Sequence, residues 1–158
     1  MESYKLLKFL HVATVMVALG STFAFPFLQA FAEHQGVPYT RFAQQFFARM
    51  EKMVIIPGAA LLFVFGLGLY FNDQTGYNDD NPAWLGISMA WFVIAYLVGL
   101  FLQRKNVKEA IAALENVPDG APLPEAYQQA AKKEQIVGGL LGLSIIGIAF
   151  LMVWKPGN

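Results

Sequence analysis

One histidine inside an apolar stretch is the residue of this sequence best suited to chemistry. His11 lies near the start of a run, residues 9–32, that contains no charged residue. A neutral imidazole can ligate haem iron or copper, and its ordinary pKa of about 6.5 also lets it exchange protons near neutral pH. The alternative interpretation is a histidine near the membrane surface that hydrogen-bonds to a backbone carbonyl or a lipid headgroup. His11 is therefore a candidate metal ligand, and a bis-histidine haem would need a second copy of the chain.

Other polar residues are expected at a similar depth in the membrane to that of His11. Tyr70 lies near the end of the second apolar stretch, Asp73 follows it, and Lys155 follows the fourth stretch. A cluster of Lys155, His11 and Asp73 could bind an anionic headgroup, a quinone or a porphyrin carboxylate. His11, assisted by Lys155 or Tyr70, supplies the candidate cofactor-binding residues; the sequence does not identify the cofactor, and haem is one candidate. In the alternative interpretation, Lys155 extends to the aqueous surface and Asp73 is simply hydrated.

The composition excludes several classes of protein. Of 158 residues, 56% are hydrophobic and 14% are charged, whereas a soluble domain carries roughly 25% charged residues. Lys+Arg and Asp+Glu balance at 11 each, which leaves no basic surface for a nucleic acid. The sequence has no cysteine, which excludes disulfides, thiolate metal sites and cysteine nucleophiles. These numbers indicate an integral membrane protein.

Four stretches without a charged residue predict four transmembrane helices. They cover residues 9–32, 53–72, 82–103 and 135–154, and each is long enough to cross a hydrocarbon core of roughly 30 Å as a helix. Small residues recur in the fourth stretch, as in Gly138-x-x-x-Gly142. This spacing is typical of membrane helices that pack closely.

The basic residues predict the orientation in the membrane. Three lie at the termini, namely Lys5, Lys8 and Lys155. Eight lie in the first and third connections, namely Arg41, Arg49, Lys52, Arg104, Lys105, Lys108, Lys132 and Lys133. Because basic residues favour the cytoplasmic side, we expect both termini to face outward, in the inner membrane of a prokaryotic cell.

The two basic connections are predicted to be helical. The segment starting at Pro38 has an apolar helical period that runs into the second stretch, and Pro57-Gly58 is expected to kink it. The third helix should continue to a turn at residues 116–120, and Pro124 fits the first turn of a long fourth helix. The expected fold is all-α: a single domain, residues 1–158, formed by a four-helix membrane bundle whose helices extend into the cytoplasm.

Short motifs spread over the chain carry a family resemblance. They are Lys5-Leu6-Leu7-Lys8-Phe9-Leu10-His11-Val12, Gly20-Ser21, Ile56-Pro57-Gly58, Gly66-Leu67 and Phe150-Leu151-Met152-Val153-Trp154-Lys155-Pro156. With them the sequence resembles a family of predicted integral membrane proteins that has four helices and no assigned function. Through Lys8-x-x-His11 it is more distantly similar to the copper-resistance D-type proteins and to membrane-bound protoporphyrinogen oxidases. That wider similarity implies a haem or metal role for His11.

No catalytic constellation follows from the sequence. The leading hypothesis is a small structural or assembly subunit, or a binding protein of the membrane, whose partners are the lipid bilayer and either a second copy or a larger complex. The second hypothesis is a haem- or metal-binding redox protein that uses His11. A third is a small-molecule transporter, although the charge-free stretches contain no Asp, Glu, Lys or Arg for an ion path.

Overall fold

The computed structural model describes residues 2–156, and within that range it is helical and contains no strand. Helix α1 covers Glu2–Gln35, α2 covers Val37–Tyr70, α3 covers Ala83–Leu114 and α4 covers Glu125–Trp154. A single helical turn, Tyr77–Asp80, lies between α2 and α3. All four long helices are apolar and long enough to cross a membrane, which confirms the predicted all-α polytopic bundle.

The helices begin and end near the residues that the sequence indicates. Pro38 occupies the first turn of α2, where its missing amide hydrogen leaves no hydrogen bond unmade. Helix α4 begins directly after Pro124, which has an extended backbone. Helix α3 ends at Leu114, just before the predicted turn at residues 116–120. Each of the two basic connections is therefore largely helical.

Three of the helices contain a wide π-helical turn. These turns cover Val15–Leu19 in α1, Glu51–Ile55 in α2 and Val98–Gln103 in α3. The turn in α2 ends just before Pro57, which lacks an amide hydrogen and crowds the preceding turn of the helix. The irregularity expected at Pro57-Gly58 thus takes the form of an expanded turn, and the helix continues through it.

A single residue, Gly36, connects α1 to α2. Its φ of 101° and ψ of −175° lie in a region that side chains with a Cβ rarely adopt. The Thr40 hydroxyl lies 3.2 Å from the Ala32 carbonyl and 2.9 Å from the Gly36 carbonyl, so it can donate to the end of α1. The two helices therefore form a tight antiparallel hairpin.

The helices pack in antiparallel pairs. Helix α1 packs along α2 and α3 packs along α4, while the first half of α2 contacts the second half of α3. The buried apolar clusters lie where the helices of each pair are connected. We call this the connection end of the bundle, residues 25–51 and 104–135, and the opposite end the terminal end. Large side chains such as Phe27 and Val153 are exposed along the apolar helices, where lipid would surround them.

Small residues permit the closest approaches between helices. Gly58 of α2 lies directly against Ala18 of α1, and a Cβ added at Gly147 of α4 would lie 2.6 Å from Trp91 of α3. A Cβ at Gly142 would meet Phe23 at 3.8 Å, which is an ordinary contact. The expected close packing of α4 therefore occurs further along the helix than the Gly138-x-x-x-Gly142 motif.

The contact at Gly58 generates a test of this packing. Because the Ala18 methyl group is fixed to its backbone, Gly58→Ala forces α1 and α2 apart and is expected to destabilise the protein by about 1–3 kcal/mol. Gly139→Ala is the matched control, since a Cβ there meets nothing within 4 Å and the change favours a helix. Thermal unfolding in detergent measures both. Equal or higher stability of Gly58→Ala relative to Gly139→Ala would contradict the packing described here.

Candidate functional site

Polar side chains from three helices converge inside the connection end. We call them the polar cluster: Gln29 and Glu33 of α1, Gln44 and Glu51 of α2, and Tyr127 and Glu134 of α4. Five of them are buried, and Glu33 is half-buried. Helix α3 supplies two cations near Glu51, namely Arg104 and Lys108. A membrane bundle thus carries three carboxyl groups in its interior at one end.

Tyr127 connects α4 to α1. The residue is 1% exposed, and its hydroxyl donates to Glu33 Oε1 at 2.7 Å. Gln29 Nε2 donates to the same oxygen at 3.0 Å. Burial raises the pKa of Tyr127, and the neighbouring Glu33 carboxylate raises this pKa further. The phenol is therefore a fixed neutral donor at physiological pH.

Gln44 connects α2 to α4. Its side chain is fully buried, and Nε2 donates to Glu134 Oε2 at 3.0 Å. The amide oxygen of Gln44 is buried without a hydrogen-bond donor. An ionised carboxylate at Glu134 can only accept hydrogen bonds, whereas a protonated one carries an O–H donor. The unmatched amide oxygen therefore favours a proton on Glu134.

Two carboxyl groups of the polar cluster have pKa values near neutrality. Burial raises the pKa of Glu134 to about 7, opposed by the hydrogen bond from Gln44 and assisted by the negative charges of Glu33 and Glu51. Burial likewise raises the pKa of Glu51 to about 7, opposed by the positive charges of Arg104 and Lys108. Both residues lie outside the charge-free stretches. The cluster can therefore take up and release protons near pH 7.

The polar cluster escapes sequence-based prediction because each carboxyl group lies just outside a charge-free stretch. Glu33 follows residue 32, Glu134 precedes residue 135, and Glu51 lies two residues before 53. Their partners are distant in sequence, since Tyr127 and Glu33 are 94 residues apart. One local signal is present: Gln29 and Glu33 are four residues apart, a spacing at which helical side chains can bond.

His11 lies in the interface between α1 and α2. A Cβ added at Gly66 would lie 3.3 Å from His11 Cε1, and the ring also lies against the Leu62 backbone. Its Nδ1 atom is buried without a hydrogen-bond partner. Met16, five residues along α1, is 70% exposed and faces another side of the helix. His11 therefore packs in a helix interface, and its role as a haem or metal ligand stays a prediction.

Lys155 and Tyr70 have other partners. Lys155 Nζ donates to Tyr77 at 2.8 Å and lies 5.9 Å from the centre of the Trp84 ring. The Tyr70 hydroxyl is 3.5 Å from Asn81 Oδ1. Across residues 2–156, no hydrogen bond or cation–π contact joins any two of His11, Lys155 and Tyr70. Their assignment as cofactor ligands stays a prediction.

The raised pKa of Glu134 predicts how stability depends on pH. Between pH 4.5 and about 7 the folded protein keeps a proton on Glu134 that the unfolded chain releases, so stability falls as the pH rises through this window. Glu134→Gln removes the titrating group. We expect the decrease in stability over this pH window to become smaller by about 2–3 kcal/mol, and the remaining decrease to come from Glu51. Thermal unfolding in detergent from pH 4.5 to 8 measures the two slopes.

A control variant distinguishes the effect of Glu134 from a general effect of removing one carboxyl group. Glu125→Gln removes an exposed carboxyl group from the first turn of the same helix and should leave the slope of the wild type unchanged. Identical pH slopes for the wild type and Glu134→Gln would show that Glu134 binds no extra proton in the folded protein.

Comparison with known proteins agrees with the architecture. A family model described as "Predicted integral membrane protein (DUF2269)" matches residues 5–156. No curated protein and no solved structure matches the chain. The match includes the four long apolar helices and the whole polar cluster. The chain therefore belongs to the DUF2269 family of predicted integral membrane proteins.

Proposed function

We propose that this protein is a small binding and assembly subunit of the membrane, and that the polar cluster is the core of its binding site. The observation that carries the proposal is the position of Tyr127 and Glu33. The two residues are hydrogen-bonded to each other within the cluster, and both also line a cavity of about 360 Å³ that opens beside it. A ligand in this cavity would contact groups that interact with Gln29, Gln44 and Glu134 of the cluster.

The energetics of the polar cluster support a binding role. Ionisable groups inside a helical bundle are desolvated, and apolar side chains of the same volume commonly give equal or greater stability. Helical bundles also place their ligand sites between facing helices, as at the junction of α1 and α4 here.

An outer face of α3 supports the assembly part of the proposal. Gly86 and Ala90 are both exposed and lie one turn apart, and a Cβ at Gly86 would meet nothing within 4 Å. Small residues at this spacing let a second membrane helix approach closely. We accordingly propose that α3 contacts a second copy or a partner subunit. The haem and metal hypothesis has less support, because His11 packs in the interface between α1 and α2, beside Gly66.

We further propose that the protein lies in a prokaryotic inner membrane with both termini outside. The support is the excess of basic residues in the two connections, which would place the polar cluster on the cytoplasmic side. The absence of cysteine makes a direct test simple. In intact cells, Asp79→Cys should react with an impermeant maleimide, and Ala121→Cys should react only after permeabilisation. The reverse labelling pattern would invert the orientation.

Native mass spectrometry of the protein extracted from its own membrane tests the binding role. The wild type should carry bound mass above its 17.5 kDa chain. Tyr127→Phe removes the hydroxyl that holds Glu33 at the cavity, and this variant should lose that mass. Tyr39→Phe, an exposed tyrosine on α2, is the matched control and should retain it. A wild type found only as the bare monomer would overturn the proposal.

A further inference from the structure

The cavity beside the polar cluster has the charges of a headgroup site. It opens between α1 and α4 and is lined by Glu33 and Tyr127 on the side of the cluster and by Gln128, Lys132 and Gln135 along α4. The lining therefore includes one acidic and one basic side chain together with two amide groups. Such a lining suits a ligand that has both a negative and a positive group.

Neither charged group at the cavity is neutralised by a salt bridge in the described part of the chain. Within residues 2–156, Lys132 forms no ion pair with a carboxylate, and Glu33 forms none with a cation. The bonds from Tyr127 and Gln29 both go to Glu33 Oε1, which leaves Oε2 without a protein donor. The neighbouring Lys133, in contrast, lies 3.7 Å from Glu109. The two charges at the cavity are thus available to a ligand.

The position of the cavity indicates a lipid. Glu33 follows the first charge-free stretch and Gln135 begins the fourth, so the cavity lies at the level of the headgroups. Toward the bilayer centre α1 exposes Phe27 and α4 exposes Leu140. Leu140 adjoins Gly139, where an added Cβ would meet nothing within 4 Å. The surfaces of α1 and α4 beyond the cavity therefore expose apolar side chains, and we call this exposed apolar surface the furrow.

We propose that this cavity binds the headgroup of an aminophospholipid, with the phosphate at Lys132, the primary ammonium at Glu33 and an acyl chain in the furrow. The inference rests on the proposed binding function and names its ligand. A primary ammonium donates hydrogen bonds to a carboxylate, whereas the trimethylammonium of a choline lipid has no N–H to donate. A phospholipid with a glycerol headgroup has no positive group to place opposite Glu33. Ethanolamine headgroups are therefore preferred over both.

Titration of the delipidated full chain with defined short-chain lipids tests this inference by native mass spectrometry. Dioctanoyl phosphatidylethanolamine should bind about tenfold more tightly than the matching choline and glycerol lipids, the effect of one charge-assisted hydrogen bond. Soluble phosphoethanolamine is the second arm of the test. If it competes fully, the site recognises a free phosphate ester and the furrow contributes nothing, which overturns the assignment to a lipid.

Single-residue variants test the roles of Lys132 and Glu33 separately. Lys132→Ala should weaken the binding of all three lipids. Lys133→Ala should bind them like the wild type, because the Lys133 side chain lies beside Glu109. Glu33→Gln should remove the preference for ethanolamine over choline and leave phosphate binding in place. Equal binding of the three lipids, or equal behaviour of Lys132→Ala and Lys133→Ala, overturns the inference. A retained ligand that is not a lipid would overturn it while leaving the proposed binding function intact.

Discussion

Within a bilayer the protein must satisfy its own polar groups, and this constraint shapes every helix of the fold. Lipid offers no partner to a backbone N–H or C=O, so the chain crosses the membrane only as continuous helix. Before Pro57, which removes a donor, α2 widens into a π-helical turn and does not break. Hydroxyl groups follow the same rule, because Thr14, Thr22 and Ser144 donate to carbonyls in their own helices.

The two ends of the bundle are stabilised by different interactions. Toward the terminal end, α1 and α2 meet through small side chains, with Gly58 against Ala18 and Gly66 against His11. Hydrophobic burial drives little association between helices in lipid, so close contact between backbones contributes there. At the connection end, Tyr127 and Gln44 join α4 to α1 and α2 through hydrogen bonds to carboxyl groups. Close contact between backbones therefore characterises the terminal end, whereas the connection end combines buried apolar clusters with polar bonding.

Much of the architecture could be predicted from the sequence, because it follows from local composition. The absence of charge over residues 135–154 gives a span, and Pro38 and Pro124 mark helix starts through their fixed φ and missing donor. The polar cluster could not be predicted in this way. A glutamate beside an apolar stretch has the same local pattern whether it faces water or a neighbouring helix. Only the fold brings Glu33 to Tyr127, and only the fold shows that His11 packs against Gly66.

Arg41 of α2 joins the first hairpin of the bundle to the second. From α2 its guanidinium donates to the Leu114 and Val117 carbonyls and pairs with Asp119, so it holds the end of α3 and the turn that leads to α4. The two hairpins of the bundle are thus fastened to each other near their bends. The position of the turn between α3 and α4 therefore depends on a side chain that belongs to the other hairpin.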